Sequence, residues 1–138
     1  MQWKDEYSLG IQEIDDQHKR LLTYFSRIED AVISSQGWGD IHFAIVDLKT
    51  FSTIHFEFEE ALMRLYGFGN YTDHIKGHLH YIKKLEDIER ASLSSDKAGD
   101  LVILLCDWLK VHILGEDRKY ADHILSGAQI VRTDVARS

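Results

Sequence analysis

No proline interrupts this chain of 138 residues, and its nine glycines leave long segments free of either residue. Because proline and glycine are the residues that most often end helices, such a chain is more often helical than sheet-rich. The length suits one domain, and 44% hydrophobic residues can supply a sizeable core. We therefore predict an all-α protein.

Apolar residues recur at helical spacing in four segments, separated by short connections. The predicted buried stripes include Phe58 and Leu65 in the second segment and Leu79 in the third. Four long helices with short connections predict an up-down-up-down four-helix bundle with an N-terminal arm. In a single domain over 1–138, we expect the arm at 1–14, helices over about 15–36, 40–66, 72–92 and 100–126, and a loose tail at 127–138.

Composition and charge limit the partners and the compartment. A formal net charge of −7 gives an acidic surface that repels phosphate, so we expect no nucleic-acid partner. The single cysteine, Cys106, cannot form an internal disulfide, which allows a cytosolic setting. The first residues do not resemble a signal peptide, and no apolar run is long enough to span a bilayer. We expect a cytoplasmic protein without stable membrane insertion.

Seven polar residues interrupt the apolar stripes at positions that a helical bundle would bury. They are five histidines and two acids: His18, His55, Glu59, His74, His78, His112 and Asp117. A buried carboxylate or imidazole is costly unless it is satisfied. One such histidine alone is more often a hydrogen-bonded core residue, and an i, i+4 pair is as often a solvated helical pair. Seven together on four helices favour bound cations, which pair the charges and fill the lone pairs at once.

Two of these pairs have a spacing that lets both side chains point at one spot. Glu59 lies four residues after His55, and His78 lies four residues after His74, so each pair shares a helical face. Seven ligands are too many for one ion and suit two, with the nitrogens as terminal ligands and the two carboxylates as bridges. Imidazole combined with carboxylate fits iron, and zinc or copper less specifically.

The third pair, His112 and Asp117, is five residues apart and overshoots the helical repeat by one residue. Either the two side chains reach different metals, or the fourth helix carries a π-type turn at this point. The two explanations are compatible, and we expect both.

These motifs resemble the hemerythrin family, and within it the single-domain bacteriohemerythrins. The similarity rests on segments 15–19, 55–60, 74–78 and 108–113 together with Asp117, and it extends from Trp3 to about Tyr120. Any one motif alone is a weak signal. All seven candidate ligands, in order and on separate helices, make a strong one.

The resemblance implies a role for each residue. His74, His78 and His112 would ligate one iron, while His18 and His55 would ligate a second iron that keeps an open position. Glu59 and Asp117 would bridge the irons together with an oxo or hydroxo group, and dioxygen would bind reversibly at the open position. The family also implies an oxygen pocket and outer aromatic residues: Leu21, Phe56, Trp108, Leu109 and Ile113 for the pocket, and Trp3 and Tyr120 outside it.

The sequence thus predicts an oxygen carrier, store or delivery protein rather than an enzyme. We expect a monomer whose partners are dioxygen and, transiently, an oxygen-consuming membrane enzyme. The alternatives are a peroxidase, a scavenger of nitric oxide or oxygen, or an oxygen sensor at the same site. Against a dedicated enzyme, we find no spare acid, base or nucleophile near the predicted ligands.

Overall fold

Helices account for almost all of the computed structural model, which describes residues 2–33, 38–91 and 98–131. Helix α1 spans Gln12–Ile33, α2 Trp38–Leu65, α3 Tyr71–Ala91 and α4 Ala98–Val111. A π-helical segment, His112–Asp117, continues α4 into α5, Arg118–Leu125, so these three elements form the fourth helix of the bundle. The predicted helix ends at 34–36 and 92, and the tail from 132 onwards, lie outside the described residues.

The N-terminal arm is more structured than the sequence predicts. It contains a single 3₁₀ turn at Asp5–Tyr7, and α1 begins at Gln12 rather than near Asp15. Asp15 lies in the first turn of α1, where its carboxylate accepts hydrogen bonds from Ser8 Oγ at 2.5 Å and from the Leu9 amide at 2.8 Å. These bonds tie the arm to the start of the helix.

Among the residues that the structure describes, two apolar clusters make up the core. The larger one, the major core, draws on all four helices of the bundle: Tyr7, Leu21, Leu22, Phe25, Ile28, Ala44, Ile45, Leu48, Phe56, Tyr81, Leu85, Ile88, Leu105 and Leu109. The smaller one, the minor core, lies towards the other end of the bundle: Leu9, Ile14, Met63, Tyr120 and Ala121.

Successive helices run in opposite directions between these two cores. Helix α1 leads from Ile14 in the minor core to Leu21 in the major core, whereas α2 leads from Ile45 in the major core to Met63 in the minor core. The third and fourth helices repeat this alternation. The prediction of an all-α, up-down-up-down four-helix bundle is therefore confirmed.

Of the predicted stripe residues whose burial the structure describes, three are exposed instead. Leu79 is 65% exposed, Leu65 42% and Phe58 37%. Phe58 and Leu79 adjoin residues that face inwards, Glu59 and His78, and neighbouring residues on a helix point about 100° apart. Leu65 is the last residue of α2. Once His78 faces the core, Leu79 must face outwards. Within the described ranges, none of the helices has both the length and the apolar character of a membrane span.

The connection after α2 has a defined glycine-dependent turn. Gly67 has φ +62°, its amide donates to the carbonyl of Arg64, and the next amide, of Phe68, donates to the carbonyl of Met63. This is the Schellman pattern that ends helices at a left-handed residue. Nearby, the Val131 amide donates to the Leu65 carbonyl at 2.7 Å, so the first residues of the predicted loose tail are held against the end of α2.

Candidate metal centre

All seven predicted ligands lie in one layer of polar side chains between the major and minor cores. On each helix the layer falls between an apolar residue of one core and an apolar residue of the other. In α1, for example, His18 lies between Ile14 and Leu21, and in α2, Glu59 lies between Phe56 and Met63. None of the seven side chains is more than 4% exposed. The helices therefore carry the polar groups into the centre of the molecule and cover them at both ends.

The nitrogen atoms of the histidines converge on the two carboxylates. Around Glu59, Oε1 lies 3.3 Å from His55 Nε2 and 3.2 Å from His78 Nε2, while Oε2 lies 3.5 Å from His18 Nε2. Both carboxylate oxygens thus have imidazole nitrogens within reach. Histidines of α1, α2 and α3 meet at this one acid.

Asp117 is approached in the same way from the other side of the cluster. Its Oδ1 lies 3.0 Å from His74 Nε2 and 2.8 Å from His112 Nε2, and its Oδ2 lies 3.0 Å from His18 Nε2. The π-helical segment runs from His112 to Asp117, as the five-residue spacing predicts. Its wider turn compensates for the extra residue, so that both side chains face the cluster.

The cluster divides into two sets of ligand atoms that share both acids. One set consists of Glu59, His74, His78, His112 and Asp117, and the other of His18, His55, Glu59 and Asp117. Within each set the ligand atoms lie no more than 4.8 Å apart. Two ligand atoms on opposite sides of one cation lie about 4.2 Å apart when each metal–ligand bond is about 2.1 Å. Each set therefore has the dimensions of a single cation site.

Buried atoms without hydrogen-bond partners support the same conclusion. In the described part of the chain they are four imidazole Nε2 atoms, of His18, His74, His78 and His112, three carboxylate oxygens, of Glu59 and Asp117, and His18 Nδ1. The nitrogens and oxygens come close to one another, but not along hydrogen-bonding directions. Buried polar atoms are normally paired, so these are arranged for a group that lies between them. Cations fit this donor set.

The electrostatics of the cluster keep both acids ionised. Burial favours the neutral acid at Glu59, but the charge of His55 and the close imidazoles of His18 and His78 outweigh it and hold its pKa well below the usual range. At Asp117, burial and the charge of Glu59 favour the neutral acid, yet His112 and His18 lower the pKa. Burial opposes a charge on His18, but the two carboxylates raise its pKa to about 9.

Comparison with known proteins identifies the family. The family model described as "Hemerythrin HHE cation binding domain" matches residues 9–124. The chain belongs to the hemerythrin family. The predicted family membership is thereby confirmed, and the name of the matching domain agrees with a cation-binding cluster.

Several named hemerythrin relatives cover most of this chain. A bacteriohemerythrin of Stenotrophomonas maltophilia is 32% identical over 125 residues, which are 88% of this chain and 80% of the relative. A bacteriohemerythrin of Clostridium acetobutylicum is 31% identical over 126 residues, 87% of this chain and 98% of the relative. A hemerythrin-like protein of Naegleria gruberi is 29% identical over 119 residues, 86% of this chain and 88% of the relative.

Outside the ligand layer of this hemerythrin-family chain, three of the described side chains hydrogen-bond to the predicted ligands. Gln17 Oε1 lies 2.6 Å from His55 Nδ1, and Glu60 Oε2 lies 2.9 Å from His78 Nδ1. The Tyr120 hydroxyl donates to Glu59 Oε2 at 2.5 Å. Burial, and then the charges of the nearby acids, raise the pKa of Tyr120 well above its usual value, so it remains a donor. Gln17 has no role predicted from the sequence, although it directly precedes a predicted ligand.

Aromatic rings hold two of the histidines in a fixed orientation. Phe56 stacks on His78 with ring centroids 3.8 Å apart, and Trp108 stacks on His112 at 4.7 Å. Both aromatic residues belong to the predicted oxygen pocket of this hemerythrin-family chain. Stacking fixes the planes of the imidazole rings and so their Nε2 directions.

The remaining predicted pocket and outer residues fall into three groups. Leu21 and Leu109 are each 1% exposed and belong to the major core at the border of the ligand layer. The side chain of Ile113 lies outside the described part of the structure. Trp3 packs at the side of the major core, edge-to-face with Tyr7, and Lys19 Nζ lies 5.1 Å from its ring centroid.

A cleft of about 150 Å³ opens beside His74 and His112, two of the three histidines in the larger ligand set. It is lined by Asp73, His74, Gly77, Trp108, Val111, His112 and Glu116. A Cβ placed on Gly77 would meet no atom within 4 Å, so the missing side chain leaves open space at the wall of the cleft.

Proposed function

We propose that the seven side chains hold two non-haem irons and that the protein binds dioxygen reversibly, as a carrier, store or delivery protein. The observation that carries this proposal is the pair of cation-sized ligand sets that share Glu59 and Asp117. Two acids common to two sets are suited to bridge two cations. The names of the bacteriohemerythrin relatives are consistent with it.

The two sets offer different numbers of protein ligands, which supports a division of roles. Three histidines and two acids surround one position, whereas two histidines and the same acids surround the other. A position with fewer protein ligands has more room for a small molecule. When bound, the two irons supply the two electrons that reversible dioxygen binding requires.

The surroundings of the ligands favour binding over onward chemistry. Leu21, Phe56 and Leu109 are buried beside the ligand layer and exclude water from that side. A dry pocket slows proton delivery and with it the loss of reduced oxygen species. Every acid within the two ligand sets is already used as a ligand, and Tyr120 is held in a hydrogen bond to Glu59.

The experiment that tests this proposal is a cycle of oxygen binding and release. Iron-loaded protein is reduced anaerobically, exposed to air and purged with inert gas, while the ligand-to-iron(III) charge-transfer absorption is followed. We expect the band to appear and disappear over repeated cycles. One-way bleaching, or turnover with added peroxide or nitric oxide, would contradict reversible binding and favour an enzyme or scavenger.

Glu59→Ala provides a sharper test of the bridging assignment. Loss of a shared ligand should remove both irons and the oxygen-dependent absorption, as measured by metal analysis and spectroscopy. Glu57→Ala is the matched control, because Glu57 lies on the same helix, is exposed and lies outside both sets. A Glu59→Ala protein that retains two irons and normal oxygen binding would show that the acid is not a bridge.

A further inference from the structure

The ligand set with three histidines and the set with two form the three-histidine and two-histidine halves, or sides, of the ligand layer. These halves differ in the charge of their outer hydrogen-bond partners. On the three-histidine side, His78 Nδ1 contacts a carboxylate, Glu60, at 2.9 Å. On the two-histidine side, His55 Nδ1 contacts an uncharged amide, Gln17, at 2.6 Å. The other histidine on that side, His18, is fully buried, and its Nδ1 has no hydrogen-bond partner among the described residues.

The contact with Glu60 fixes the state of the His78 ring. An ionised carboxylate only accepts hydrogen bonds, so His78 Nδ1 carries the hydrogen and donates it. The lone pair is then on Nε2, which lies 3.2 Å from Glu59 Oε1 inside the cluster. The stacked ring of Phe56 holds the same imidazole plane. His78 is therefore held ready to ligate before a cation arrives.

A carboxylate partner also changes the strength of the ligand. A histidine that donates its second N–H to a carboxylate becomes a more basic ligand, and a charge-assisted hydrogen bond is roughly twice as strong as a neutral one. Glu60 also brings a further negative charge to the three-histidine half. His55 receives no such charge from the Gln17 amide.

We infer that Glu60 is a positioning residue that makes the three-histidine half the tighter cation site and lowers the reduction potential of the iron bound there. Gln17 holds His55 in the other half without adding charge, which leaves that half weaker and easier to reduce. The inference rests on the proposed function of the cluster, because it assumes that both sets bind a cation. It assigns the inequality of the two halves to two residues that are not themselves ligands.

The test is an anaerobic titration of the metal-free protein with Co²⁺, followed by calorimetry and by the visible spectrum of the bound ion. We expect two binding steps in the wild-type protein. Glu60→Gln keeps a hydrogen-bond acceptor but removes the charge, and should weaken the tighter step by about 10–100-fold with little change in the weaker step. Gln17→Glu should tighten the weaker step.

A redox titration of the iron-loaded protein supplies a measurement that a purely structural role would not alter. Glu60→Gln should raise the midpoint potential of one iron, and Gln17→Glu should lower that of the other. Glu57→Gln is the matched control, because it removes the same charge from an exposed position of the same helix. It should reproduce the wild-type values in both experiments.

The outcomes separate the two proposals. A wild-type protein that takes up no Co²⁺ overturns the proposed function and this inference with it. Two wild-type binding steps that are unchanged in Glu60→Gln, or that weaken equally, overturn the inference alone. The inference also fails if Glu57→Gln shifts the potential as much as Glu60→Gln does.

Discussion

The hydroxyl of Tyr120 is buried beside Glu59 and donates a hydrogen bond to Oε2 at 2.5 Å. Two of the imidazole nitrogens near the same acid, Nε2 of His18 and of His78, have no hydrogen-bond partner among the described residues. Tyr120 therefore limits the orientations that the Glu59 carboxylate can adopt. It acts on a shared ligand of both sets, so its effect should extend to both cation positions.

Tyr120→Phe should destabilise the protein by about 1.5–3 kcal/mol, the usual contribution of a hydrogen bond to a charged group. The free energy of unfolding in urea measures this change, and Tyr24→Phe, a half-buried tyrosine whose ring packs on Phe51 beside the major core, serves as control. We also expect weaker uptake of both cations. Equal stability and uptake in the two variants would mean that the hydroxyl does not hold Glu59.

Sequence spacing could predict which candidate residues lie together, because a helix places residues four apart on one face. His55 with Glu59 and His74 with His78 needed no knowledge of how the helices pack. Gln17 could not be found in this way. It reaches His55 from a different helix, and that contact depends on the distance and angle between α1 and α2, which periodicity within one helix does not contain.

Among the secondary-structure elements, the π-helical segment is the one that the sequence predicted most directly. Two inward-facing polar residues five apart, His112 and Asp117, cannot share a face of a regular α-helix. The exact limits of the other helices were less predictable. Helix α1 begins early because Asp15 accepts bonds from the arm, a contact between segments rather than a property of the helix.

Substitution by alanine should have opposite effects on stability at two glycines, Gly77 and Gly67. Gly77 lies within α3 with open space around its Cβ position, so Gly77→Ala should stabilise the fold by about 0.5–1 kcal/mol through helix propensity. Gly67 has φ +62°, and a Cβ there would lie 2.8 Å from Val131 Cγ2. Gly67→Ala should destabilise by about 1–2 kcal/mol.

Urea denaturation of the wild type and both alanine variants measures whether each substitution raises or lowers the free energy of unfolding. A destabilised Gly77→Ala protein would indicate that the cleft beside His74 and His112 needs its open wall for folding. An unchanged Gly67→Ala protein would be at odds with the Schellman turn described after α2.

Over the whole molecule, the polar ligand layer separates the major core from the minor core on every helix. Under the proposed function, the seven buried polar groups of this layer lose much of their compensation when the cations are removed. Binding to the folded state alone stabilises it by about 2.7 kcal/mol at a ligand concentration 100 times the dissociation constant. The stability of this bundle should therefore depend on its metal content.

Chelation of the bound metal should lower Tm and should loosen the minor core first, because that cluster is the smaller one. Calorimetry measures the first effect, and hydrogen exchange of the amides around Met63 and Tyr120 measures the second. Glu59→Ala is the control, since its Tm should not respond to a chelator. An unaltered wild-type Tm after complete metal removal would argue against the ligand layer as a source of stability.

The division of the interior into two cores also determines how substitution of the seven layer residues would change stability and cation binding. Apolar side chains of similar volume at the seven layer positions would join the major and minor cores into one uninterrupted hydrophobic interior. Buried charged groups replaced in this way often leave a protein equally or more stable. Such a chain should withstand heat better than the metal-free form while having lost the ability to bind a cation, a stability gained at the expense of function.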